Sequence, residues 1–253
     1  MEEIHRNREF MKSNFGQRSS WRSDQQRGLP NPPLQKAVEG DKIRQIDLPA
    51  VDPEVMDTRD FFELLENRQS RRNYAQEQLS LEELAFLLYS THGVKEEVGE
   101  GYASRRTVPS AGARHPFETY LAVNRVEGLE PGIYRYLPFS HQLLFLEAAD
   151  NLSGKLTRAN LGQGFVGAAA CVFIWSCRPY RAEWRYGPHA HKNMLLDAGH
   201  ICQNLYLAVE AIGAGTCAIG AYDQRLMDGL LGLDGEDEYV IYLAPVGVPR
   251  ETG

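Results

Sequence analysis

At 253 residues, with 43% hydrophobic and 24% charged side chains, the chain is long and apolar enough to bury one substantial core, which excludes disorder for its bulk. A formal net charge of −7 excludes a general attraction to polyanions, so nucleic acid is not an expected partner and any anion site must be local. The longest apolar run falls far short of the ~20 residues of a membrane span, and the charged start MEEIHRNREF lacks a signal-like apolar stretch, so a soluble cytoplasmic protein without membrane contact is expected.

In chain order, residues 1–57 are polar, and RSDQQRGLPNPPLQ carries neither a helical nor a strand period. Pro30, Pro32 and Pro33 stop any helix from spanning it, so this region reads as an extended N-terminal arm lying on its own domain or on a partner subunit. Residues 58–253 read as the folded domain. TRDFFELLENR sets Phe61, Phe62, Leu64 and Leu65 on one helical side, and RQSRRNY follows as a cationic link. Ser80 and Glu83 form an S-x-x-E capping box for a second helix, which Gly93 ends.

Strands are expected at 117–126, 133–137 and 142–147, then a short helix at 151–160. AAACVFIW (168–175) reads as a strand buried on both faces. Residues 191–212 give the longest helix, apolar nearly all round, which belongs at the centre of the molecule or at a subunit interface. TCAIGAY, a short helix from Asp223 and the strand YVIYLAPVG complete an α+β set with a mainly antiparallel sheet flanked by helices. Cys171, Cys177, Cys202 and Cys217 form no CxxC pair and read as small buried hydrophobes in a reducing compartment.

Several constellations could carry chemistry. Gly162, Gly164 and Gly167 match G-x-G-x-x-G, but they precede a strand instead of following one, which removes the helix that would meet a pyrophosphate. Arg68-Gln69-Ser70-Arg71-Arg72 offers guanidinium forks and a hydroxyl to phosphate oxygens, or is a solvated charge run. In TVPSAGARHP, Pro109, Ser110, Ala111 and Gly112 leave the backbone approachable by a flat ligand, or make a tight turn before a strand.

Asp197, His200 and Asn204 share one polar stripe of the long helix, to satisfy each other, a facing subunit or a ligand. Ile219-Gly220, and Gly247 followed by Arg250, place a glycine just past a buried strand and an arginine near an anion. The histidines match no zinc spacing, so no metal site is expected.

Taken in order, R-x-S-x-R (Arg68, Ser70, Arg72), PSAGARHP, DAGHICQNLYLA, GTCAIGAYD and LAPVG resemble the nitroreductase-like flavoprotein superfamily, and within it the SagB-type dehydrogenase branch of thiazole- and oxazole-forming oxidases. The arm's SDQQRGLPNPPLQK and IDLP are similar to the N-terminal region of stand-alone members.

The resemblance implies a nitroreductase-like fold, an interlocked homodimer and FMN at the interface. It places Arg68, Ser70 and Arg72 at the phosphate and ribityl chain, Pro109, Ser110, Ala111 and Gly112 against the ring, and Asn204, Ile219, Gly220, Gly247 and Arg250 among the remaining cofactor contacts. Where azole-forming oxidases carry a Lys-Tyr pair, this chain has Trp184-Arg185-Tyr186-Gly187. Arginine cannot serve as a base, which leaves Tyr186 to take a proton, with Arg185 and His200 as further catalytic candidates.

The expected function is hydride transfer at the flavin, dehydrogenating a peptide-derived azoline or similar small substrate. One alternative is a general nitro- or quinone reductase whose flavin NAD(P)H reduces first. Another is a flavin-binding scaffold without turnover.

Overall fold

The computed structural model describes residues 1–13, 21–39 and 44–250. Its centre is set by two strands with no polar face, β4 (Phe117–Val123) and β7 (Cys171–Cys177), buried at every position and paired antiparallel from Phe117 opposite Cys177 to Val123 opposite Cys171. Around them lie β1 (Arg44–Asp47), β5 (Gly132–Leu137), β6 (Gln142–Ala148), β8 (Gly215–Thr216) and β9 (Tyr239–Gly247), in the order β1-β6-β5-β4-β7-β9-β8. Every neighbouring pair runs antiparallel.

The two-residue period of a strand divides the core. Cys171, Phe173, Trp175 and Cys177 face one cluster with Leu84, Leu87 and Leu88 of α3 (Leu81–His92) and Met194, Ala198, Ile201 and Leu205 of α7 (Ala190–Ala211). Val172 and Ile174 face the other, with α4 (Leu152–Ala159), α5 (Gly164–Ala168) and α8 (Gln224–Leu230). Each buried Leu or Ile stabilises the fold by about 1.5–3 kcal/mol relative to exposure. The expected capping box of α3 is present: Glu83 N donates to Ser80 Oγ at 3.1 Å, and Ser80 N donates to the Glu83 carboxylate at 2.6 Å. All four cysteines are buried and free.

Some boundaries differ from expectation. Residues 164–168 form α5, and the strand begins only at Cys171. A Cβ on Gly167 would strike Ser153 O and Thr157 Oγ1 of α4, so this glycine permits close contact between α4 and α5. The predicted arm contains a helix, α1 (Glu2–Phe10), and the edge strand β1; its stretches at 14–20 and 40–43 lie outside the described residues. A hairpin of β2 (Val94–Val98) and β3 (Ala103–Arg106), and α6 (Tyr180–Tyr186), appear where no element is expected. On α2 (Phe61–Asn67), Phe61 and Phe62 are 64% and 68% exposed, so this apolar side does not join the core of its own chain.

Residues 21–39 lie across the domain and are held by buried arginines. Arg114 donates to Pro32 O at 2.5 Å, Arg181 to Pro33 O at 2.8 Å, Arg106 to Leu34 O at 3.1 Å and Arg135 to Ala37 O at 2.9 Å. All four arginines are buried, and Arg181 also pairs with buried Glu118. A buried guanidinium needs acceptors, and here the chain's own carbonyls supply them.

Candidate functional site

The small-residue segment sits between α7 and the end of α6. Buried Asp197 of α7 accepts hydrogen bonds from Ser110 Oγ at 2.6 Å and from the Ala111 amide at 3.1 Å, while His115 N donates to Ser110 Oγ at 3.0 Å. Burial raises the Asp197 pKa above its ordinary value, and the bonds from Ser110 and Ala111 and the neighbouring His200 oppose that shift. The Ser110 hydroxyl and the Ala111 amide therefore both donate to Asp197, which anchors the segment to α7. Pro109 is exposed and Gly112 is partly exposed.

Gly112 has φ +62°, in the left-handed region that glycine tolerates. A Cβ there would lie 2.7 Å from Tyr186 Oη and 2.8 Å from Arg185 Cδ, so both predicted catalytic residues of α6 rest on this glycine. The Arg185 guanidinium stands 5.6 Å from the Tyr186 ring centroid, within cation–π range.

A second cluster gathers near the C-terminal end of α7. Ser70 Oγ and Tyr206 Oη are 2.9 Å apart, and the Ala218 amide donates to the same Tyr206 oxygen at 2.9 Å. The Arg68 guanidinium lies 5.3 Å from the Tyr206 ring centroid. Ser70 bridges Thr216, and Arg250 N donates to Asn73 O at 3.0 Å, which brings the C-terminal arginine beside the Arg68–Arg72 link. Arg71, by contrast, pairs with Glu210 of α7 at 3.1 Å.

Among the described residues Arg68, Arg72 and Arg250 form no ion pair. Ile219 is buried, whereas a Cβ on exposed Gly220 would meet nothing within 4 Å, which leaves that backbone approachable.

The polar stripe of α7 divides. Asp197 is buried and Asn204 donates to Ser90 O at 2.8 Å, tying α7 to α3, while His200 is exposed beside Gly199 and Gln203. Gly247 is buried against Tyr74, 3.2 Å from its would-be Cβ, so it makes room for an aromatic ring. Sequence reasoning missed Tyr206, which links Ser70 to Ala218, and the anchoring role of Asp197. The nine-residue spacing of Asp197 and Tyr206 on one helix was the available signal, and it puts the two clusters about 13 Å apart along the axis. Among the described residues no group of three or more His, Cys, Asp or Glu could hold a metal ion, and no helix is long and apolar enough to cross a membrane.

The Nitroreductase family model matches residues 65–248. A candidate nitroreductase of Methanocaldococcus jannaschii, MJ1384, is 34% identical over 185 residues, covering 73% of this chain and 89% of that protein. The trifolitoxin-processing protein TfxB of Rhizobium leguminosarum bv. trifolii is 32% identical over 165 residues, 62% of this chain but only 44% of TfxB. Among solved structures, a candidate nitroreductase of Ralstonia eutropha superposes with a TM-score of 0.68 at 27% identity, covering 88% of this chain and 100% of that one. The fold, the order of the motifs and these likenesses agree, and the similarity to a toxin-processing protein fits the SagB-type branch; the chain belongs to the nitroreductase family.

Proposed function

We propose that this protein is a homodimeric FMN-dependent oxidoreductase that moves hydride between the flavin and a small-molecule or peptide-derived substrate. The observation that carries the reading is the set of guanidinium groups at Arg68, Arg72 and Arg250, without carboxylate partners among the described residues of a chain of net charge −7. Arg68 lies over the Tyr206 ring whose hydroxyl meets Ser70, Arg72 follows on the same link, and Arg250 is tied to that link through Asn73, a set that fits a phosphate tail. Bound there, FMN supplies a two-electron centre whose N5 accepts or donates hydride.

The protein's own part is to hold and to move protons. Tyr186 works as a phenol/phenolate pair: the phenolate takes a proton from a substrate being oxidised and becomes the phenol, and the phenol gives one to a substrate being reduced and becomes the phenolate. Arg185, a permanent cation, orients Tyr186 and cannot replace it as a base. Asp197 fixes the Ser110–Gly112 wall on which that tyrosine rests.

Two features support a dimer. Leu195 and Leu196 on α7 are 50% and 53% exposed, and the apolar side of α2 is also uncovered. Within one chain the arginine end and the Tyr186 wall lie apart along α7, and we read the site as completed by a second copy whose wall faces these arginines. The likeness to TfxB, a trifolitoxin-processing protein, supports a peptide-derived substrate, and the resemblance to the SagB-type branch supports the azoline class. The likeness to MJ1384 supports a second reading, a nitro- or quinone reductase loaded by NAD(P)H.

The test is the absorption spectrum and mass of the purified protein, with chromatographic identification of the released cofactor. A yellow dimer releasing FMN, bleached anaerobically by NADPH or by an azoline peptide, is expected. A colourless monomer that ignores added FMN would overturn the reading, and a yellow protein that no donor reduces would leave only a flavin-binding scaffold.

A further inference from the structure

The last turn of α6 is gripped from the N-terminal segment. Gln25 N donates to Trp184 O at 2.9 Å, and Trp184 Nε1 donates to Leu29 O at 3.0 Å. Gly187 has φ +51°, and a Cβ there would collide with the Trp21 indole. One residue outside both segments joins them. Tyr102, in the turn between β2 and β3, accepts a 2.6 Å hydrogen bond from Gln25 Nε2 and another of 2.6 Å from Arg185 Nη1. The hairpin tip is itself tied to the segment, since Asn31 donates to Gly101 O at 2.8 Å and Arg114 donates to Tyr102 O.

We infer that Tyr102 is a positioning residue: braced by Gln25, its phenol oxygen fixes Arg185 and through it the Tyr186 side chain on Gly112. Arg185 forms no ion pair among the described residues, so the Tyr102 oxygen is its one hydrogen-bond acceptor there, and the rings of Tyr102 and Tyr186 are its cation–π partners at 5.8 and 5.6 Å. Without that oxygen the guanidinium keeps only two weak ring contacts, and a long side chain with several rotamers leaves its place. Arg185 Cδ and Tyr186 Oη crowd the same glycine, so movement of one frees the other. The kinetic consequence rests on the function proposed above; the structural one does not.

The experiment places 3-fluorotyrosine at position 186 and records its 19F resonance in flavin-free and FMN-loaded full-length protein. The parent protein should give one resonance displaced from that of free fluorotyrosine. Tyr102→Phe, which keeps the ring, and Gln25→Ala, which touches only the brace, should each broaden it or move it toward the free position. In parallel, with NADPH and menadione as probes and unchanged FMN content, kcat of Tyr102→Phe should fall by up to about 10²-fold while KM changes little, as for a displaced catalytic group. Resonances unchanged in both variants would overturn the inference. Because the flavin-free spectra decide the positioning by themselves, a failure to bind FMN would sink the proposed function and leave this inference standing.

Discussion

The Asp197 carboxylate holds the Ser110 hydroxyl at 2.6 Å, across 87 residues of sequence. This bond, with that from the Ala111 amide, makes the long helix and the small-residue wall one rigid unit. Asp197→Ala leaves both donors without their partner and should destabilise the protein by about 1–3 kcal/mol. Burial raises the Asp197 pKa, so the native state binds its proton more readily than the unfolded chain. That contribution is present below the ordinary carboxylate value and is lost as pH rises through the folded value. Thermal unfolding of the parent and Asp197→Asn from pH 4 to 7 should therefore show the parent's relative stability falling as pH rises.

Gly112→Ala tests the seat of Tyr186. Its Cβ would come within 2.8 Å of both Tyr186 and Arg185, at a φ of +62°. Denaturant unfolding should show a loss of about 1–3 kcal/mol, with turnover reduced more than FMN content.

Neighbouring arginines should separate stability from binding. Arg71→Ala leaves the Glu210 carboxylate without its cation and should cost about 1–3 kcal/mol of stability with little change in FMN affinity. Arg72→Ala removes an exposed cation and should leave the melting temperature alone while weakening FMN about 10- to 100-fold, the loss of one charge-assisted bond. Calorimetric titration and melting curves distinguish the two, and equal effects from both variants would contradict the assignment.

Two buried histidines make the fold sensitive to acid. His92 bonds to Thr119 Oγ1 through Nδ1 at 2.9 Å, and His115 to Ser104 O through Nε2 at 3.0 Å. Burial first, then the charge of Arg106, hold both pKa values well below the ordinary 6.5; Arg181 and, for His115, Arg114 act the same way. Below that value the unfolded chain takes up protons that the native state refuses, so stability is lost as pH falls, by about 1.4 kcal/mol per pH unit for each histidine. Melting temperatures should drop from about pH 6.5 downward, and a flat profile to pH 5 would show that these rings charge in the native state.

Local chemistry written in the sequence survives in the structure. The capping box of α3, the continuous apolar strand at β7 and the long helix α7 were legible because propensity, period and burial agree there. The pairing of Arg71 with Glu210 within the cationic link was not legible, because it depends on a residue 139 positions away. The rest depends on distant partners. Ser110 reads as a free hydroxyl until Asp197 is packed against it, and no element is expected at RPYRAEWRY, whose Arg181 and Trp184 are buried against the N-terminal segment. The β2–β3 hairpin was hidden because three of the five residues of VKEEV are charged and exposed.

The carbonyls of residues 32–37 that meet Arg106, Arg114, Arg135 and Arg181 lie outside the stretch matched by the family model. A recombinant fragment trimmed to that stretch would keep four interior cations and discard an acceptor from each. Such a fragment should express as insoluble aggregate, whereas one beginning at Trp21 should remain soluble.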